Sequence, residues 1–152
     1  MQQLGGYQYA IALYLDMGYY NIRLSPVSKE IRTIVTEFGK FRYNRLPTGM
    51  CASRDIFQAK VDKILGDTEG VKTYINDLLV LVKDSFEKHK KQLIILFGRL
   101  REAGLKVNAP KCSFGLKEIT YLCYVITREG IKPEPRKVQG IMVLVRPYTT
   151  TE

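Results

Sequence analysis

Cysteine is scarce in this 152-residue chain, and what there is stands alone: Cys51, Cys112 and Cys123 are odd in number, and none belongs to a C-x-x-C pair. Neither a disulfide framework nor a thiolate metal centre is supported, and a reducing, intracellular setting fits. Histidine is rarer still. His89 is the single one, and the helical pattern around it places it on the wet side, where a surface role is expected rather than a ligand's. No apolar stretch has the length of a bilayer span, and Met1 to Gln8 lacks a basic region followed by an apolar run, so these residues show no membrane anchor and no secretory leader. Internal repeats, low-complexity tracts and linkers are also missing. Negative charge is in deficit: 15 Asp and Glu face 24 Lys and Arg, a net charge of +9, which favours a polyanionic partner such as nucleic acid.

A hydrophobic share of 45% is enough for one domain with a real core, and the chain reads as a single compact unit. Tyr9 to Leu15 suits a buried strand, and Tyr19 to Leu24 alternates as a second. Ile31 to Thr36 and Phe41 to Leu46 bracket Glu37-Phe38-Gly39-Lys40, a four-residue loop, so about residues 28–50 form a basic hairpin carrying Arg32, Lys40, Arg42 and Arg45. Ser53 opens a helix with Ile56, Phe57, Val61, Ile64 and Leu65 at helical spacing and Gly66 as its stop. A second helix runs from Ser85 to Ala103, with Phe86, Leu93, Ile94, Leu96, Phe97 and Leu100 as its apolar stripe, Lys88, Lys90, Lys91, Arg99 and Arg101 on its wet face, and Gly104 as its cap. Leu105 to Asn108, Cys112 to Phe114 and Ile119 to Thr127 read as further strands, and a short helix that Pro147 closes follows Ile131.

Val71 to Val82 is the stretch on which these elements converge. Two β-prone runs, Val71 to Ile75 and Leu78 to Val82, flank Asn76-Asp77, which predicts a hairpin with a polar pair at its tip. Such a tip is either an ordinary turn or a rigid holder for acidic side chains. With the hairpin set aside, the core order is strand, helix, strand, strand, helix, strand. This is an α+β fold: a split β-α-β antiparallel sheet backed on one face by two helices, with Leu13 to Asp16 and Asn76-Asp77 on adjacent central strands.

Several short motifs then occur in a fixed order: Gly18-Tyr19-Tyr20, Phe38-Gly39-Lys40-Phe41, Leu46-Pro47-Thr48-Gly49-Met50, Ile56-Phe57-Gln58, Tyr74-Ile75-Asn76-Asp77, Gly104 to Asn108 with Lys111 to Phe114, and Tyr121-Leu122-Cys123-Tyr124. In this the chain resembles the palm region of reverse transcriptases of gypsy-type LTR retrotransposon polyproteins, essentially without gaps from Tyr7 onward. The resemblance implies a polymerase palm with an inserted fingers-type β-hairpin. It also implies an RNA template, a DNA primer and a dNTP as partners, the remainder of a polyprotein around this partial domain, and two Mg²⁺ ions held by three carboxylates.

Two of those three carboxylates are not where the family has them. Tyr14 stands four residues before Gly18, Asn76 opens the pair at the hairpin tip, and only Asp77 keeps its place. Asp16 is the nearest replacement for the first acid. It shares a strand face with Tyr14 but lies roughly 6 to 7 Å further along, and a two-residue deletion before Gly18 is the alternative alignment that would bring it into register. Asn76 could offer a metal only a neutral carbonyl oxygen. By the same resemblance Lys111 stands near the triphosphate, Tyr19, Thr48 and Gly49 line the nucleotide pocket, Leu122-Cys123-Tyr124 forms the turn that grips the primer end, and Arg32, Arg42 and Arg45 track nucleic-acid phosphates. A cysteine where that turn has glycine strains a backbone that needs positive φ. The function implied is an ancestral RNA-directed DNA polymerase, now catalytically degenerate. The alternative is a non-catalytic nucleic-acid-binding or scaffolding module that retains the palm fold.

Overall fold

The computed structural model describes residues 6–144. The first strand, β1 (Tyr9–Asp16), is the axis of the molecule because its two faces differ. Ile11, Leu13 and Leu15 point to one side, whereas Ala10, Ala12, Tyr14 and Asp16 point to the other. After β1 come α1 (Pro26–Ile31), β2 (Thr33–Thr36), β3 (Gly39–Arg42), α2 (Ser53–Leu65), β4 (Val71–Tyr74), β5 (Asp77–Val82) and α3 (Phe86–Glu102). Then follow β6 (Lys106–Val107), β7 (Ser113–Leu116), β8 (Ile119–Tyr121), β9 (Tyr124–Thr127), β10 (Gly130–Pro133) and α4 (Pro135–Met142).

β4, β5 and β1 pair in that order, and the far edge of β1 is shared by β6, beside Leu15 and Asp16, and β7, beside Ala10 and Ala12. All these pairs are antiparallel. The large-residue face of β1 buries Ile11, Leu13 and Leu15 with Leu78, Val80 and Val82 of β5 against Phe57, Val61 and Leu65 of α2 and Leu96 and Leu100 of α3. Each such aliphatic or aromatic side chain contributes about 1.5–3 kcal/mol by leaving water. On the opposite face, Ala10 and Ala12 leave room for a second sheet, β10-β9-β8, whose Ile119 and Ile126 pack on Ala10 and Leu79. Tyr7 pins that sheet, its hydroxyl donating to the carbonyls of Ile126 (2.7 Å) and Lys117 (3.0 Å). The β2–β3 hairpin stands away from both layers, with all eight strand residues exposed.

The expected sheet backed by two helices is present, with local differences. The Tyr19 to Leu24 segment is not a strand: Met17 takes a left-handed φ of 46°, and the chain coils into a 3₁₀ turn over Gly18–Asn21. Helix α1 stands where the first part of the basic hairpin was expected. Pro26 is pre-set for its first turn, and the Ser25 side chain accepts from the Ser28 amide at 3.2 Å. The hairpin itself closes through two residues, Glu37 and Phe38, since Thr36 pairs with Gly39, and β3 stops at Arg42 rather than Leu46. The run from Ile119 to Thr127 is broken at Leu122-Cys123 into β8 and β9. On α3, Ile94 is exposed, whereas His89 is only 3% exposed, between the rings of Tyr9 (5.3 Å) and Phe86 (5.6 Å). His89 is therefore part of the core, and burial pulls its pKa below the ordinary histidine value. Arg99, expected on the wet face, ties α3 back to the last turn of α2 through the Ile64 carbonyl and to the segment after it through Asp67 and Thr68. The expected stop at Pro147 lies outside the described residues.

Candidate polymerase site

The hairpin tip forms one residue earlier than its polar pair implies. Tyr74 pairs with Asp77, so Ile75 and Asn76 make the turn and Asp77 begins β5. Ile75 adopts φ 54°, a region that β-branched residues enter only under constraint. Gln58 of α2 supplies the constraint. Its Oε1 accepts from the Ile75 amide at 2.6 Å, and its Nε2 donates to Thr73 Oγ1 at 3.1 Å and to Asp62 Oδ1 at 2.8 Å. The turn is also stitched to β1, because the Leu15 amide donates to the Asn76 carbonyl at 2.7 Å. No role for Gln58 was expected from the sequence; the available signal was its place in the Ile56-Phe57-Gln58 motif.

Asp77 lies directly across from Tyr14 in the β1–β5 register, so both side chains share the face away from the helices. Beyond β6, the Asn108 amide donates to the Tyr14 carbonyl at 2.8 Å and anchors the 3₁₀ turn Ala109–Lys111, which carries Lys111 back over β1. The Lys111 ammonium sits 4.4 Å from the centre of the Tyr14 ring, within cation–π range. Burial pushes the Asp77 carboxyl above the ordinary aspartate value, and the charge of Lys111 pulls it partly back. Tyr121 is raised to about 12, chiefly by burial and further by Asp77 and Tyr74, so it stays a donor and reaches the Asp77 carbonyl at 3.4 Å. Asn76 Oδ1 is buried with no hydrogen-bond partner. Asp16 is on the Tyr14 face but opposite Lys106, two residues beyond the Tyr14–Asp77 pair. Among the described residues no three His, Cys, Asp or Glu side chains converge as a metal-binding group.

A second feature lies where α2 begins. A cleft of about 490 Å³ is lined by Tyr19, Thr48, Gly49, Met50, Ser53 and Arg54. Tyr19 forms its floor by stacking on Phe57, with ring centres 4.8 Å apart. Burial raises the Tyr19 pKa, and the positive charge of Arg54 opposes that rise. Gly18 permits the stack, since a Cβ there would lie 2.2 Å from a Phe57 ring carbon. Tyr19, Thr48 and Gly49 are thus brought together, and Arg54, for which sequence reasoning suggested nothing, joins them.

The remaining candidates are dispersed. Leu122 and Cys123 form the two-residue turn between β8 and β9, with φ of 47° and 67°, the left-handed pair that such a turn demands and that Asn-Gly normally supplies. Tyr124 follows as the first residue of β9. Arg42 lies 4.0 Å from Glu30, both side chains exposed, while Arg32 lines a smaller cleft at the base of the hairpin. Arg45 lies past the hairpin, where its Nη1 donates to the Asn21 carbonyl at 3.5 Å.

An antiparallel sheet with a strained two-residue turn facing its central strand, two helices behind it and a basic hairpin beside it has the palm-like layout of nucleic-acid polymerases. A family model described as Reverse transcriptase (RNA-dependent DNA polymerase) matches residues 1–126, and the chain belongs to that family. Among curated proteins it is similar to the Retrovirus-related Pol polyproteins of the Drosophila melanogaster transposons opus (31% identical, over 100% of this chain and 15% of the relative) and 412 (34%, 93% and 12%). The polyprotein of transposon gypsy is 26% identical over 97% of this chain and 14% of its own length. Among solved structures, foamy viral protease-reverse transcriptase in complex with dsDNA superposes with a TM-score of 0.86 at 26% identity, covering 93% of this chain and 25% of that one. The same viral protein in complex with an RNA/DNA hybrid gives 0.82 at 26%, covering 92% and 19%. The chain is a reverse transcriptase region of a retrotransposon polyprotein, and it spans 15% or less of the length of these curated relatives.

Proposed function

We propose that this palm no longer supports two-metal nucleotidyl transfer but keeps contacts to nucleic acid and nucleotide. The observation that carries the reading is that Asp77 stands opposite the ring of Tyr14, with no second and third carboxylate converging on it among the described residues. Two divalent cations need several anionic oxygens converging on one point. The residues present do not fit that pair of ions. Asp77 is the one carboxylate at the tip, its neighbour Asn76 is neutral, Tyr14 offers an aromatic face, and the nearest charge is an ammonium. Asp16, opposite Lys106, is displaced by two residues along β1.

Arg32, Arg42 and Arg45 would meet the phosphates of an RNA template or DNA primer, and the Leu122-Cys123-Tyr124 turn would lie against the primer end. The complexes formed by the foamy viral protein, with dsDNA and with an RNA/DNA hybrid, favour this binding role. Tyr19, Thr48 and Gly49 would receive the dNTP in their cleft. The test is primer extension on an RNA template with Mg²⁺, beside an RNA-binding titration at several salt concentrations. The expected result is RNA binding that falls steeply with salt and no extension product. Extension that disappears in Asp77→Ala would overturn the reading.

A further inference from the structure

Strand β6 (Lys106–Val107) ends the main sheet, and its outer edge is unpaired. Val107 is the partner of Leu15 on β1, and the Leu15 amide is turned the other way, toward the Asn76 carbonyl on the β5 side. The backbone groups of Tyr14 and Asp16 therefore turn toward β6, and the Asn108 amide meets the Tyr14 carbonyl at 2.8 Å. By the same alternation the N–H and C=O of Val107 point away from β1, and neither has a hydrogen-bond partner among the described residues. Val107 also lines a groove of about 570 Å³ between this edge and the end of α3. Its other apolar lining residues are Phe97, Leu100 and Leu105, the last two from the core. The chain turns from helix to strand at Gly104, whose φ of 68° lets the Leu105 amide return to the Leu100 carbonyl at 2.9 Å. Arg101, one turn after Phe97 on the same side of α3, is exposed at this groove, and no carboxylate lies within ion-pairing distance of it among the described residues.

We propose that this groove receives an extended acidic peptide, added as a strand to the free edge of β6. An open edge with an apolar floor beside it is a template for another strand. A residue of the incoming chain exchanges both of its backbone hydrogen bonds with Val107, which fixes the register. Alternate side chains of an extended chain share one face, so two apolar residues separated by one position enter the groove together. An acidic residue on that same face meets Arg101, whose planar guanidinium matches a carboxylate. The partner's pattern is thus apolar at alternate positions with an acid in phase with them, and the excess of basic residues in this chain favours that acid over a neutral strand.

The experiment is amide NMR of the whole chain titrated with the end-blocked peptide Glu-Thr-Leu-Thr-Phe-Thr-Glu, which carries both apolar residues and both acids on one face. Saturable shifts should centre on the amides of Gly104, Leu105 and Val107. N-methylation of one alternate set of peptide amides should abolish binding, whereas methylation of the other set should leave the affinity within about threefold, because only one set faces β6. Arg101→Glu should weaken binding about tenfold or more, and so should replacing both peptide acids by Gln, as expected for loss of a charge-assisted contact. Val107→Pro removes the edge donor and should also weaken binding, with thermal melting to show that the fold is intact. Absence of binding, shifts centred elsewhere, an equal response to the two methylations or insensitivity to Arg101→Glu overturns the proposal. An oligouridylate that shifts the same amides and displaces the peptide assigns the groove to nucleic acid and overturns it as well.

Discussion

The hairpin tip and the α2 cleft sit in one palm, yet the chain treats them differently. At the tip, Asp77 faces an aromatic ring and an ammonium, and the neighbouring Asn76 keeps a buried oxygen without a partner. In the cleft, Tyr19 stacks on Phe57 in the space that Gly18 leaves, and Thr48 and Arg54 belong to the lining. Both regions rest on one buried cluster, which includes Leu13, Leu15 and Leu78 beneath the tip and Tyr19 and Phe57 beneath the cleft. The difference therefore lies in side-chain chemistry at a handful of positions, and on the proposed reading it would separate holding a nucleotide from joining it to a primer.

The comparison breaks most readily at Phe57, which serves both the core and the cleft floor. Phe57→Ala should cost about 3–5 kcal/mol in unfolding free energy, read by urea denaturation, and should abolish dGTP binding with it. If stability falls while dGTP affinity does not, Tyr19 is not positioned by that stack. The next largest effect runs the other way. Tyr14→Asp combined with Asn76→Asp should raise Mg²⁺ affinity about a hundredfold or more, since it restores two anionic oxygen donors and removes the ring that holds Lys111 in place. Calorimetry checks this, and unchanged affinity would mean that the tip lacks more than its acids.

A smaller effect is expected at the β8–β9 turn. Cys123 pays a steric penalty for its φ of 67°, so Cys123→Gly should stabilise the fold by about 1 kcal/mol in thermal or urea melts, without altering dGTP binding. The smallest effect concerns pH. Asp77 has a folded-state pKa above its unfolded one, so the folded state binds that proton more tightly. Its contribution to stability is greatest in acid, declines as pH rises from the unfolded value through the folded value, and is constant above. Lys111→Met removes the cation that limits the rise, so the decline should extend to higher pH, and Asp77→Asn should remove it; carboxyl carbon NMR of Asp77 reads the shift directly.

Periodicity made the framework legible. The apolar run from Tyr9 to Leu15 announced a buried strand, and Ile56, Phe57, Val61, Ile64 and Leu65 a helix stripe; Ile11, Leu13 and Leu15 meet Phe57, Val61 and Leu65 in the core, whereas Ile56 is exposed. What escaped notice depended on partners distant in sequence. Ile75 takes a left-handed turn conformation that its own side chain disfavours, because Gln58 from another element holds its amide. His89 falls on the polar side of a helical projection, yet Tyr9 of β1 covers it. Helix α1 did carry a local sign, Ser25-Pro26, but the β-prone residues after it drew the reading toward a hairpin. Among the candidate site residues, strand adjacency brought Leu13 to Asp16 beside Asn76-Asp77, but the register that sets Tyr14 directly opposite Asp77 was not legible in the sequence. Lys111 over Tyr14 and Arg54 beside Tyr19 required three dimensions, since neither belongs to a periodic pattern.

The most direct measurement is paramagnetic NMR with Mn²⁺, which broadens signals near any bound ion. With increasing Mn²⁺, the resonances of Asp77, Asn76 and Lys111 should broaden no more than those of exposed carboxylates elsewhere, in the presence and absence of dGTP. Selective, saturable broadening centred on Asp77 would show that the tip still holds a metal and would contradict the separation between the two regions.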